Sequence, residues 1–236
     1  MLGNCMDMYT FFVTKGFESH RSWGIIESER GDDMTKADRI ENILQMEWKM
    51  MQSTQNMGGR ASCQDDYETF YIMRGSQYGS WHEDMLEYWE KFVAECEAEG
   101  RNLVTEKYAN MMQFTDLHYY NKHLKPFLPE TPAESFPLIN EIVTQMIAWE
   151  LEFASKYPKI SGTGRPITSD YDKYGVTSLE SYARGELETY PVELLQMYAD
   201  YVGELKAEGK SLALINQGIM VKMYGYDSID EAEASL

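Results

Sequence analysis

The sequence predicts an all-α protein, a helical bundle or array built from two related halves. Three observations carry this. Apolar residues recur at spacings of three and four along most of the chain, as on one face of a helix. Glycines and prolines punctuate these stretches. The second half then repeats the order of the first at a shift of roughly 105–110 residues, and such self-similarity sets the whole fold.

Residues 1–35 form an N-terminal arm without an assigned structure. Tyr9, Phe11, Phe12 and Val13 suit a short strand or a helix turn, Gly3, Gly16, Gly24 and Gly31 interrupt any longer period, and Phe17, Trp23 and Ile25 are expected to pack. The first half, 36–125, opens with a helix at Thr35 or Lys36 carrying Ile40, Ile43, Leu44, Met46, Met50 and Met51, with Gly58 and Gly59 expected to stop it. Ser62 reads as the N-cap of a second helix, because its hydroxyl can accept from exposed N–H groups and Asp65 and Asp66 suit the positive end. Gly75 and Gly79 are expected to break that helix. A third, from about Ser80, carries Trp81, Met85, Leu86, Trp89, Phe92, Val93 and Cys96 and ends before Gly100. A fourth runs from a Thr105 cap to about Phe114, with Tyr108, Met111 and Met112 inward.

Residues 126–137 hold Pro126, Pro129, Pro132 and Pro137 and read as a linker, since proline lacks the N–H that continues a helix. In the second half, 138–236, a strongly apolar helix through Ile139, Ile142, Val143, Met146, Trp149 and Phe153 closes at Tyr157 and Pro158. A loop with Gly162, Gly164, Arg165 and Pro166 follows. Ser178 caps a short helix to Gly185, Val192 to about Glu208 is another, and Ser211 to about Tyr224 is the last long one.

The repeat is read most directly from two strings, MLEYWEKFVAECEAEGRNL from Met85 and LLQMYADYVGELKAEGKSL from Leu194. A shift of 109 places Gly209 on Gly100, Leu195 on Leu86, Tyr198 on Trp89, Tyr201 on Phe92 and Val202 on Val93, so the apolar face recurs with the ending. Arg184-Gly185 likewise echoes Arg74-Gly75, and Gly164-Arg165 echoes Gly59-Arg60 after helices holding Trp149 and Trp48. Two such units each expose an apolar face that needs the other, and a groove between them is the natural ligand site.

Composition narrows the partners. With 21 basic and 39 acidic residues the formal charge is -18, which opposes binding to a phosphate backbone and favours solubility. Cys5, Cys63 and Cys96 are three in number and widely spaced, fitting neither a disulfide framework nor a zinc pattern. No apolar run approaches the roughly 18 residues of a membrane span, and no cleavable leader is evident. The expectation is a cytoplasmic protein that meets neither nucleic acid nor membrane. Sixteen methionines suit adaptable core packing.

Several uncommon strings occur in one order: EW, then GGRASCQDDYETFYIMRGSQ and W, then EGRNLVTEKYANMM, and later KYP, GRP and TSLESYARGELETYP. From roughly Lys36 to Asp227 the chain thereby resembles the bacterial family catalogued as domain of unknown function 4125. The resemblance implies a mostly helical, soluble protein and no particular activity.

The densest chemistry lies between Glu47 and Trp81. Glu47, Arg60, Gln64, Asp65, Asp66, Arg74, Gln77 and Trp81 are the candidate ligand-binding residues, with Trp48 and Trp81 as walls: arginines can clamp an anion bidentately while carboxylates act as acid and base. The same residues would equally make an ion-pair network locking helices around the glycine loop. Cys63 near a helix start could ionise, but no histidine stands at a diagnostic spacing to serve as its base. His118 and His123 would need metal ligands from elsewhere, so no metal is assigned and the cofactor stays open. The two glycine loops lack the context of a phosphate cradle. Two function classes follow: a small-molecule binder or enzyme with a polar or anionic ligand between the halves, or a scaffold that meets another protein through its aromatic and acidic surface. The first expects a pocket where the arginines are not fully neutralised. The second expects them paired, with an exposed apolar patch elsewhere.

Overall fold

The computed structural model describes residues 34–56 and 58–236. The expected packing of Phe17, Trp23 and Ile25 lies outside them. Eleven α-helices and no named strand occur among the described residues, with one isolated bridge between Lys173 and Val176.

Helix α1, Lys36–Ser53, begins at a capping box: the Thr35 hydroxyl accepts from the Asp38 N–H at 3.2 Å and the Asp38 carboxylate accepts from the Thr35 N–H at 3.1 Å. It ends before Gly58 and Gly59. Its last carbonyls are taken up by side chains instead, the Gln64 amide donating to Met51 O at 2.7 Å and the Asn102 amide to Met50 O at 2.8 Å. Ser62–Asp65 form a single 3-10 turn, and α2, Tyr67–Gly79, starts four residues later than expected because Asp66, rather than Ser62, is its N-cap and accepts from the Thr69 N–H. Gly75 does not break this helix. Its missing Cβ leaves room for Met223 and Leu44, the nearest atom being 3.2 Å from where a Cβ would stand.

Helix α3, Glu83–Ala98, and helix α4, Leu103–Thr115, are joined by Gly100 at φ +75°, a conformation that costs glycine nothing; the Arg101 and Gly100 N–H groups return to Cys96 O and Glu97 O. Asn102, not Thr105, caps α4, accepting from the Thr105 N–H at 2.8 Å, so the helix opens two residues before Thr105. Next come α5, Leu117–Tyr119, a π turn Tyr120–Leu124 and a 3-10 turn Lys125–Phe127. The proline stretch yields earlier than expected: α6, Ser135–Lys156, includes Pro137 in its first turn, where no intrahelical N–H partner exists to lose.

Helix α7, Pro158–Gly162, precedes a loop to α8, Leu179–Leu187, capped by Ser178 and continuing past Gly185. Helices α9, Val192–Ala207, and α10, Leu212–Met223, fall where the periodicity places them, and a short α11, Ile229–Ser235, adds a helix the sequence reading omits.

Helix α1 packs on α2, α3 and α4, while α6 packs on α8, α9 and α10. The two sets meet through α4 on α8, α2 on α10 and α3 on α9. One apolar cluster runs through both, from Ile43 and Leu44 through Trp81, Trp89 and Val93 to Leu194, Leu195 and Val202. No helix among the described residues is long and apolar enough to cross a membrane.

Candidate functional site

Charged residues interrupt the apolar faces of these helices. Glu47 stands between Ile43 and Met51 on α1, Lys107 between Leu103 and Met111 on α4, and Glu186 four residues from Tyr182 and Tyr190 on α8; all are buried. Packing brings these groups together around Arg74. Its guanidinium grips Glu47 with two bonds of 2.8 Å, from Nε to Oε2 and from Nη2 to Oε1. Nη1 donates to Glu186 Oε1 and to Gln77 Oε1, each at 2.6 Å. Glu186 Oε2 takes the Lys107 ammonium at 2.7 Å, and the Tyr190 hydroxyl donates to Oε1 at 2.8 Å. The Tyr78 hydroxyl donates to Glu47 and receives the Trp89 indole N–H at 2.8 Å, while Lys107 donates to the Tyr182 hydroxyl.

Two carboxylates and two cations therefore balance in the interior. Burial alone would raise the Glu186 carboxyl, but Arg74 and Lys107 outweigh it and hold the group well below the usual carboxylate range. Burial likewise opposes the charge on Lys107 and Arg74, and Glu186, joined for Arg74 by Glu47, more than restores it. The cluster is closed on itself.

Beside it lies a cavity of about 210 Å³ between helices α1, α2 and α4 on one side and α6, α8, α9 and α10 on the other. Glu47, Arg74, Gln77 and Asp66 of the expected site reach its lining, Asp66 as the α2 cap. Four expected residues do not belong to it. Arg60 is exposed and spends its donors on Asp65 at 2.8 Å, Gln52 at 2.5 Å and Gln64 O at 2.8 Å, which also places Asp65 at the surface. Gln64 is buried with both ends of its amide used: Nε2 also bonds Thr54 O at 3.0 Å, and Oε1 accepts from Asn56 and from the Ala61 N–H, each at 2.9 Å. Trp81 sits in the core, its ring 5.2 Å from Tyr78 and 5.5 Å from Tyr198. Trp48 is no wall either; it packs against Tyr67 and Phe70, each 5.1 Å away. The echo of Arg74 by Arg184 fails chemically, because Arg184 turns to Glu180 and Asn140.

Three lining groups escape the charge balance. Arg165 donates from Nη1 to Thr177 O at 3.1 Å and lies 5.2 Å from the Tyr182 ring centre, and no carboxylate among the described residues pairs with it. Glu150, between Met146 and Phe153 on α6, makes no hydrogen bond or ion pair with any described residue, and burial pushes its carboxyl up to about 7. Asn216 Oδ1 is buried without a partner on α10. Sequence reasoning passed over Glu150, Glu186 and Lys107; the signal available for each was a charge on an apolar helical stripe.

The Glu150 shift carries a sign. The native state keeps its proton above the ordinary carboxyl range, so stability falls as pH rises from about 4.5 towards about 7 and levels off beyond. The Glu150→Gln protein should melt with the wild type at pH 4.5 and exceed it at pH 8 by on the order of 3 kcal/mol. Equal melting differences at the two pH values would refute the assignment.

Cys63 and Cys96 are both buried, and burial pushes the Cys96 thiol up to about 11. Among the described residues no group of three or more His, Cys, Asp or Glu side chains is placed to hold a metal. In comparison with known proteins, residues 38–234 match the model of the family described as Protein of unknown function (DUF4125). No curated protein and no solved structure matches the chain.

Proposed function

The chain belongs to the DUF4125 family, a membership that assigns no chemistry, and we propose that its interior cavity binds a small ligand with an apolar ring and an anionic group. The observation that carries this reading is Arg165, a guanidinium on the cavity lining with no carboxylate partner among the described residues. Arg74 cannot play that part, since its donors are committed to Glu47, Glu186, Gln77 and Tyr78. It builds the wall instead. An apolar cavity of roughly 150 Å³ can hold benzene, so a cavity of about 210 Å³ suits one substituted ring. Trp149, Tyr108 and Tyr182 offer it aromatic surface.

We read the two halves as copies of one unit, with the cavity at their seam. Support comes from matched endings: Gly209 and Lys210 return their N–H groups to Lys206 O and Leu205 O as Gly100 and Arg101 do to Glu97 O and Cys96 O, and Ser211 caps α10 as Asn102 caps α4.

Phenyl phosphate tests the ligand reading. A ligand that binds only the native state raises its melting temperature by mass action. Millimolar phenyl phosphate should raise that of the wild type and have little effect on the Arg165→Gln protein. An unchanged wild type, or a variant that responds as the wild type does, would sink the reading.

A further inference from the structure

The cavity meets a second, smaller space at a polar junction. Glu150, Gln217 and Arg165 line both the main cavity and a small adjoining chamber of about 30 Å³, so this is where the two spaces meet. Gln217 is 9% exposed and its amide makes no hydrogen bond to a described residue. With Glu150 at this junction and the Asn216 oxygen elsewhere on the main-cavity lining, three polar groups of the cavity lack protein partners while the charged cluster that shares the lining is fully paired. A buried polar group without a partner costs stability, so the buried Gln217 amide and Asn216 oxygen favour an occupant that can bond them.

We propose that this junction recognises a cationic N–H group, an amidinium or ammonium borne on the ligand's ring, with Glu150 as the carboxylate that receives it and Gln217 and Asn216 as further acceptors. The inference rests on the ligand reading above and adds the charge of the occupant. The chemistry is specific. All three groups can accept, and Asn216 Oδ1 and the Glu150 carboxyl can do nothing else once the acid ionises. No cation of the protein offsets the burial of Glu150, although Arg165 lines the same space. An occupant carrying two N–H donors would satisfy both carboxylate oxygens at once. The ligand is then bipolar, with its cationic group at Glu150 and its anionic group at Arg165 on the same junction.

Benzamidine and its neutral isostere benzamide separate this inference from the reading beneath it. At pH 8, above the Glu150 titration, calorimetry on the full chain should find benzamidine about tenfold or more tighter than benzamide, the usual worth of a charge-assisted hydrogen bond. Glu150→Gln should erase that preference while still binding benzamide. Benzamidine binding no tighter than benzamide, or a preference that survives in the variant, overturns the cationic site while leaving the cavity reading intact. Failure of benzamide, benzamidine and phenyl phosphate alike overturns both.

Discussion

Replacing Arg74 with alanine should destabilise the protein by about 3–5 kcal/mol, the cost of leaving buried charge uncompensated rather than the worth of a surface pair. Glu47 and Glu186 would both lose the guanidinium, and Gln77 and the Tyr78 hydroxyl would lose a donor. At roughly 2–4 °C per kcal/mol for a chain of this size, a melting temperature lower by about 10 °C is the expected reading. The penalty should also shrink at low pH, where the buried carboxylates left without the guanidinium can take up protons. Arg60→Ala supplies the contrast, because its pair with Asp65 is exposed and such pairs contribute about 1 kcal/mol or less. Equal losses from the two substitutions would refute the account of the buried cluster.

A methyl group at Gly185 should cost roughly 2–3 kcal/mol, near the upper range for overpacking, despite the gain in helix propensity. There α8 lies on α4 so closely that a Cβ would stand 2.7 Å from Met111 Cγ, 2.9 Å from the Met111 nitrogen and 3.1 Å from Lys107 O. The last two are backbone, so the helices must part, and parting them pulls Lys107 from Glu186. Gly75→Ala should be nearly neutral, since the tightest contact of its Cβ would be the end of the flexible Met223 side chain at 3.2 Å, with Leu44 Cδ1 at an ordinary 3.8 Å. Chemical denaturation of both variants checks the pair. Similar midpoints would mean that the close approach of α4 and α8 is not what Gly185 serves.

The site was legible in the sequence only in part. Glu47, Arg74 and Gln77 stand out because they are charged or polar residues in an apolar helical setting, and the structure puts them on the cavity. Arg60, Gln64 and Asp65 stand out for their density, but that density serves the local turn after α1, where short-range hydrogen bonds use them up. Glu186 and Lys107 carry the same apolar-stripe signal as Glu47. They were passed over because they lie far from the dense stretch, Glu186 being 112 residues from the arginine it pairs with. Arg60 and Arg74 are both paired with carboxylates, whereas the ligand reading expected arginines left partly unneutralised; the lining arginine without a carboxylate partner among the described residues is Arg165, which that reading did not include.

Most helices and several of their caps and ends were determined by the sequence alone, because each of these depends on groups within a few residues of one another: Thr35 with Asp38, Ser178 with Ser181, Ser211 with Leu214, and the returns at Gly100 and Gly209. Gly75 and Gly185 show the limit. The same dipeptide lies within a helix in both places, and only the neighbouring helix decides whether the missing side chain matters. Likewise, only tertiary structure decided that Arg74 is closed by four partners while Glu150 and Arg165 are left with none of opposite charge. Charge pairing in an interior is set by which helices meet, and that contact spans sequence distances over which local pattern carries no information.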